Sequence, residues 1–226
     1  MSATITSSAG ASETETETLS LEGSTCDSHS SAAPRYLFYR YVCGEAKDER
    51  IEAENGLGRL GPQYRCVIWR PRGWRILPHG LPGARLRLRF LFRWVLDRLH
   101  IFAEPGFGAV LIYDGDRLAH YSGFTPRYWR FPFIANGDFQ IGDTWTDPAY
   151  RGKGLASAGL ARAVALLTRP HRRLWYVVES INEPSIRVAE KGHFTLAAEG
   201  GILEPWGLGF ARAYVIGRIC ADAERG

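Results

Sequence analysis

The 226-residue sequence lacks the patterns that define several large classes of protein. No apolar run approaches the roughly 18 residues that suggest a membrane span. The first ten residues, MSATITSSAG, have neither the charged region nor the apolar region of a secretory signal. The four cysteines form no C-x-x-C pair, and the six histidines show no metal-ligand spacing. These absences predict a cytoplasmic protein with reduced thiols, no metal and no stable membrane insertion.

Residues 1–34 contain no lysine, arginine or aromatic residue. They hold five acids, namely Glu13, Glu15, Glu17, Glu22 and Asp27. Because the whole chain carries +4 and these acids carry −5, residues 35–226 carry +9. A Ser-, Thr- and Glu-rich segment buries too little apolar surface to offset the entropy of ordering. We therefore expect a disordered tail over residues 1–34 and one folded domain over residues 35–226.

The rest of the chain alternates β-forming and helical patterns, and its 45% hydrophobic content is enough for one substantial core. We predict strands at 36–43, 64–71, 138–146, 173–180, 194–200 and 209–218, and a hairpin at 108–124 that turns at Asp114-Gly115. The stretch 84–102 alternates Arg and Leu at its start like a strand, but its later part favours a helix. Further helices are predicted up to about Leu167 and from Pro184 to Lys191.

The stretch DPAYRGKGLASAGLARAVALL, residues 147–167, joins a predicted strand to a predicted helix through a basic loop. Gly152 and Gly154 remove side chains that would block close approach to the backbone, and Arg151 and Lys153 add positive charge. A helix N-terminus has unpaired N–H groups, and its dipole favours an anion. Neither G-x-x-x-x-G-K-[ST] nor G-x-G-x-x-G is present. The pattern therefore predicts a pyrophosphate site of another kind.

Within this loop, Arg151-x-x-Gly154-x-Ala156 resembles the (Gln/Arg)-x-x-Gly-x-(Gly/Ala) signature of the GCN5-related N-acetyltransferases (GNAT). The resemblance covers roughly residues 108–200. It implies a single-domain α+β fold, in which helices flank a mixed, mostly antiparallel central sheet. It also implies that the loop holds the pyrophosphate of acetyl-coenzyme A, which serves as a co-substrate.

Downstream, Asn182-x-x-Ser185 and Glu190-Lys191 followed by Phe194 resemble the family's Asn-x-x-Ala…Tyr-Glu-Lys-x-Gly-Phe segment. The position that matches the family's tyrosine, a proton donor in many members, is Ala189. The residues that the resemblance implies for coenzyme binding are Thr144, Trp145, Thr146, Arg151, Gly152, Lys153, Gly154, Leu155, Ala156, Ser157, Asn182 and Ser185. Asn182 is also a candidate helix cap, and the two roles are compatible.

The implied reaction moves an acetyl group from the thioester to the primary amine of a small acceptor. Backbone N–H groups of residues 144–146 are expected to stabilise the developing oxyanion, and a base must accept a proton from the ammonium. We predict Asp143 as this base and Glu179 as the second choice. For both, a structural role in a turn or a salt bridge remains open.

The region before the hairpin, residues 67–107, is rich in arginine and aromatic residues and is expected to line the acceptor side. Arg89 and Arg93 predict an acceptor with an anionic or sugar-like portion, such as an amino sugar. An alternative is a non-catalytic module that uses the basic, aromatic surface of residues 67–130 to bind a membrane or polyanion. We favour the enzyme, with no nucleic-acid partner, and leave a homodimer open.

Overall fold

An open eight-stranded sheet forms the centre of the fold. The computed structural model describes residues 35–44, 56–72, 76–204 and 211–220, so the predicted tail lies outside the described residues. The strands are β1 (Tyr36–Val42), β2 (Tyr64–Trp69), β3 (Gly108–Asp114), β4 (Arg117–Pro126), β5 (Phe139–Thr146), β6 (Arg173–Glu179), β7 (Thr195–Leu203) and β8 (Ala213–Ile219). The helices are α1 (Gly83–Arg98), α2 (Leu155–Leu167) and α3 (Glu183–Lys191), with short 3-10 turns at Leu57–Arg59 and Pro148–Tyr150.

The strand order is β2-β3-β4-β5-β6-β1-β7-β8. Among the described strands, β5 and β6 run parallel and all other neighbours are antiparallel. The predicted fold class, a mixed and mostly antiparallel sheet flanked by helices, is confirmed. β1 lies between β6 and β7, so the first described strand joins the last two strands, β7 and β8, to the rest of the sheet.

The helices cover opposite faces of the sheet. α2 packs Leu160 and Val164 into the same apolar cluster as Ile141 of β5. α1 packs Phe90 into a cluster with Tyr121 on the other side. Successive residues of a strand point to opposite faces, so each strand contributes to both layers.

The structure resolves one ambiguity of the sequence and corrects one local prediction. Leu86 and Phe90 are buried while Leu88 is 62% exposed, so the Arg–Leu alternation belongs to a helix that begins at Gly83 rather than to a strand. In the hairpin, Asp114 pairs with Arg117. The turn residues are therefore Gly115 and Asp116, one position later than predicted. Gly115 has φ 56°, a conformation that glycine adopts without steric cost.

Candidate active site

β5 and β6 pair over a short distance and then separate. Their parallel register comprises Phe139 with Leu174 and Gln140 with Trp175, although β5 continues to Thr146. In the described chain, the β5 backbone groups that face β6 beyond Gln140 therefore have no partner in a ladder. Such groups need a partner from elsewhere, which makes the opening between the strands a candidate ligand site.

A β-bulge in β5 decides which side chains face each side of this opening. Tyr121 pairs with Trp145, but Gly123 pairs with Gly142, so β5 contains one extra residue. Asp143 takes the left-handed conformation there, with φ 49°, which Asp tolerates better than most residues. As a result, Asp143 lies on the α1 side while Thr144 lies on the α2 side.

The cavity on the α2 side has a volume of about 660 Å³, within the usual range of ligand pockets. We call it the α2-side cavity. Its lining residues are Thr144, Trp145, Thr146, Tyr150, Arg151, Gly152, Gly154, Leu155, Ala156, Ser157, Tyr176, Asn182, Pro184, Ser185, Val188 and Lys191. These include every residue predicted for coenzyme binding except Lys153, whose ammonium lies 4.7 Å from the centroid of the Tyr150 ring.

The loop and the start of α2 suit an anionic group. Gly152 and Gly154 have φ 76° and 79°, and a Cβ at either position would meet no atom within 4 Å. The Ala158 N–H bonds the Gly154 carbonyl at 3.0 Å, so the N–H groups of residues 155–157 precede the first intrahelical bond. The first turn of α2 contains no acid. This donor set fits a pyrophosphate, as the predicted coenzyme requires.

A buried histidine holds one wall of this cavity. His120 has no exposed surface, and its Nδ1 and Nε2 atoms each lie 2.8 Å from a hydroxyl oxygen, those of Thr146 and Ser122 respectively. Burial lowers the pKa of His120 to about 3, so the ring is neutral at physiological pH. One ring nitrogen then donates and the other accepts, so His120 links the hydroxyl groups of Thr146 and Ser122.

Tyr176 of β6 is a lining residue that the sequence reasoning missed. It is 3% exposed, and its hydroxyl group interacts with the side chains of Thr144 and Ser185. Burial raises the pKa of Tyr176 despite these hydrogen bonds, so the phenol stays protonated at neutral pH. Its neighbour Val177 lines the opposite cavity. This alternation along β6 is the sequence signal that could have identified Tyr176.

α3 closes the same cavity. The Asn182 side chain accepts a hydrogen bond from the Ser185 N–H at 3.3 Å, so it caps α3 as well as lining the cavity. Ala189 is fully buried in the apolar core. The helix therefore offers no proton donor at the position of the family's tyrosine.

The cavity on the opposite face has a volume of about 270 Å³. We call it the α1-side cavity. Its lining residues are Arg89, Phe92, Arg93, Tyr128, Arg130, Phe131, Gln140, Asp143, Val177 and Tyr214. Arg89 and Arg93, which were predicted to bind the acceptor, both line this cavity, and their role stays a prediction. Most of the remaining lining comes from residues after the hairpin, outside the predicted region 67–107.

Asp143 is held between two guanidinium groups. Arg89 Nη1 lies 2.8 Å from one carboxylate oxygen, and Arg93 bonds the other. Burial alone would raise the pKa of Asp143, but the charges of Arg93 and Arg89 outweigh it and lower the pKa. A carboxylate with a lowered pKa is a weak base, so this geometry favours Asp143 as an anchor for the arginines. Its role as the base stays a prediction.

Glu179, the second candidate base, is exposed at the end of β6 and lines neither cavity. Its carboxylate accepts a hydrogen bond from the Tyr36 hydroxyl at 3.2 Å. The Tyr36 ring contacts that of Tyr214, with 5.0 Å between centroids, and Tyr214 lines the α1-side cavity. Glu179 is therefore connected to the rim of that cavity through two tyrosines.

The described residues contain neither a metal-binding cluster nor a membrane-spanning helix. No group of three or more His, Cys, Asp and Glu side chains in this part of the chain could hold a metal ion. None of the helices that the structure describes is long and apolar enough to cross a membrane.

The sequence matches the acetyltransferase (GNAT) family over residues 74–194. This match spans more than half of the chain, and the chain belongs to this family. Members of the family are generally acetyltransferases, and their domains typically bind acetyl-coenzyme A. A search of curated proteins finds no matching sequence.

Solved structures provide distant likenesses. A conserved protein of unknown function from Staphylococcus epidermidis shares 7% identity at a TM-score of 0.48, covering 74% of this chain and 59% of that one. A tandem GNAT protein from the clavulanic acid biosynthesis pathway shares 14% identity at a TM-score of 0.47. This match covers 74% of this chain and 51% of that one. A GCN5-related N-acetyltransferase-like protein from Streptococcus suis shares 14% identity at a TM-score of 0.37. This match covers 73% of this chain and 60% of that one. This chain therefore spans only 51–60% of their lengths, and at these TM-scores they carry no functional argument.

Proposed function

We propose that the chain transfers an acetyl group from acetyl-coenzyme A to the primary amine of a small acceptor. The observation that carries this proposal is the pair of cavities on opposite faces of the sheet. Adjacent residues of β5, Asp143 and Thr144, line one cavity each, and so do Val177 and Tyr176 of β6. Two substrates bound in these cavities would meet where the strands separate, as a direct transfer requires.

The α2-side cavity is proposed to hold the coenzyme, which when bound supplies an activated acetyl thioester. The free N–H groups of residues 155–157 and the side chain of Arg151 would bind its pyrophosphate. Backbone N–H groups of residues 144–146 would stabilise the oxyanion. Thr146, whose hydroxyl group is hydrogen-bonded to His120, lines the same cavity.

Tyr176 is proposed as the proton donor to the leaving sulfur, because it lines the α2-side cavity and its hydroxyl interacts with Thr144, the residue next to Asp143. Tyr150 lines the same cavity, but its hydroxyl bonds Asp114 at 3.0 Å near the loop. The raised pKa of Tyr176 keeps its proton in place at neutral pH, as a general acid requires. The acceptor ammonium must lose its proton to a base, for which Asp143 and Glu179 stay the candidates.

The α1-side cavity is proposed to hold the acceptor. Three arginines and one aspartate border it, which favours an acceptor with a carboxylate or phosphate beside its amine. Arg130 stands outside the Asp143 ion pairs, and its guanidinium lies 5.6 Å from the centroid of the Tyr214 ring. Aromatic side chains also line this cavity, so a sugar ring is a further candidate for the acceptor body.

The proposal is tested by measuring acetyl-coenzyme A binding by calorimetry and thiol release with a panel of primary amines. Gly154→Val should abolish coenzyme binding, because it strains a residue at φ 79° and places a side chain in the cavity. Gly137→Val is the matched control: Gly137 has φ 90° and open space around it, but lies outside the cavity. Absence of coenzyme binding in the wild type, or equal binding in a folded Gly154→Val protein, would overturn the assignment.

A further inference from the structure

Helix α1 has two apolar faces, and only one of them packs on the protein. Leu86, Phe90 and Leu96 are buried against the sheet. A second row follows the i, i+3, i+4, i+7, i+11 spacing of one helix face and points to solvent. It comprises Leu88, Leu91, Phe92, Val95 and Leu99, which are 62%, 39%, 47%, 37% and 64% exposed. We call this row the α1 stripe. A helix that is apolar on both faces indicates burial on both.

Arginines border the α1 stripe on both sides. On a helix with 100° between successive residues, Arg87 and Arg98 lie along one edge. Arg85 lies along the other edge, next to Arg89, which is paired with Asp143. All four are exposed. Asp97 is the only acid in α1. The partner of this face must therefore be apolar in the middle and negatively charged on both sides.

A second copy of the chain, paired through the same face, is apolar in the middle but does not meet the charge condition. In a twofold pairing through α1, the arginine edges of the two copies would face each other and repel. The stripe is also only about 17 Å long and one helix wide, which is far less than the roughly 800 Å² per partner of a stable interface. An anionic lipid surface has no such size limit. It accepts the apolar side chains among the acyl chains while arginine stems extend to the phosphates.

We infer that the chain docks peripherally on anionic lipid surfaces through the α1 stripe and its bordering arginines. This inference goes beyond the proposed function and holds whether or not the chain transfers acetyl groups. Phe92 belongs to both the stripe and the α1-side cavity. Docking therefore brings that cavity next to the membrane surface.

The test is flotation of the full chain with equimolar phosphatidylcholine–phosphatidylglycerol vesicles and with pure phosphatidylcholine vesicles. Binding is expected to the anionic vesicles, to weaken with salt, and to be weaker without phosphatidylglycerol. The Leu88→Ser, Val95→Ser double variant should bind the anionic vesicles at least about tenfold more weakly than the wild type. Its melting temperature should be nearly unchanged, because both side chains are exposed. Arg85→Gln and Arg87→Gln should each lower the affinity for anionic vesicles about fivefold.

The matched control is Val215→Ser, Ile219→Ser, which removes two apolar side chains that are 42% and 65% exposed on β8. It should bind vesicles like the wild type. Failure of the wild type to bind anionic vesicles, or equal loss in the control variant, would overturn the inference. So would sedimentation showing a concentration-dependent dimer that Leu88→Ser, Val95→Ser disrupts, because a second copy would then occupy the stripe. The single variant Leu99→Ser repeats the test if the double variant is unstable.

Discussion

His120 and Gly159 are in direct contact across the interface between β4 and α2. A methyl group on Gly159 would lie 2.5 Å from His120 Nε2 and 2.9 Å from the Ser122 hydroxyl oxygen. The histidine ring cannot retreat freely, because it is fully buried and bonded at both nitrogens. Glycine at this position thus allows α2 to lie close enough to the sheet to form the wall of the α2-side cavity.

We therefore predict that Gly159→Ala destabilises the fold. Alanine gains about 1 kcal/mol over glycine in a helix, but overpacking costs about 1–3 kcal/mol, and the contact distance here makes the clash the larger effect. Urea denaturation should show a net loss of about 1 kcal/mol. Gly201→Ala, where no atom lies within 4 Å, is the control and should be nearly neutral. Equal stability of the two variants would contradict the clash.

The neutral state of His120 predicts a loss of stability in acid. Its pKa falls from 6.5 in its unperturbed state to about 3 in the fold, so between these values the unfolded chain binds more protons. Stability must then decrease as the pH falls from about 6.5 toward about 3. His120→Gln cannot take up this proton and should show a flatter pH dependence of the unfolding free energy. If the unfolding free energy of His120→Gln depended on pH as steeply as that of the wild type, this explanation would be wrong.

The sequence was sufficient to predict local features, and contacts distant in sequence account for what it missed. The glycines and basic residues of 151–154 lie within one loop, so their arrangement follows from the local chain. The arginine partners of Asp143 lie about 50 residues earlier in α1, and no local pattern links them. The orientation of the Asp143 side chain also depends on the bulge in β5. Alternation of side chains counted from Phe139 would place Asp143 on the opposite face of the sheet. Tyr214 reaches the α1-side cavity only through the pairing of β8 with β7.

Removing the charge of Asp143 should destabilise the fold. Asp143→Asn keeps the shape of the side chain but leaves Arg93, which is only 18% exposed, without its counter-charge. Breaking such a pair costs about 3 kcal/mol, measurable by denaturation. Glu183→Gln removes an exposed i,i+4 pair with Arg187 and should change stability by less than about 0.5 kcal/mol. Unchanged stability in Asp143→Asn, with loss of the acidic limb of the rate profile, would instead identify Asp143 as the base.

Arg130, whose charge also helps to lower the pKa of Asp143, should contribute to acceptor binding. If the acceptor carries an anionic group, Arg130→Gln should raise its KM about tenfold or more and leave coenzyme affinity and kcat nearly unchanged. Arg127→Gln is the control, because Arg127 is exposed and bonds Asn136 at 3.3 Å. An unchanged KM in Arg130→Gln, or a simple cationic polyamine as the best acceptor, would rule out anion recognition by this residue.

Tyr176→Phe should lower kcat while leaving the KM for acetyl-coenzyme A nearly unchanged. The substitution removes only the hydroxyl that interacts with Thr144 and Ser185, so the cavity keeps its shape. Loss of a general acid costs about a hundredfold or more in rate, and the alkaline limb of the wild-type pH–rate profile should disappear with it. Tyr150→Phe removes a hydroxyl from the same cavity at the loop and should retain most of the wild-type kcat. Should Tyr176→Phe instead raise KM at constant kcat, Tyr176 would be a binding residue and the proton would have to come from another group.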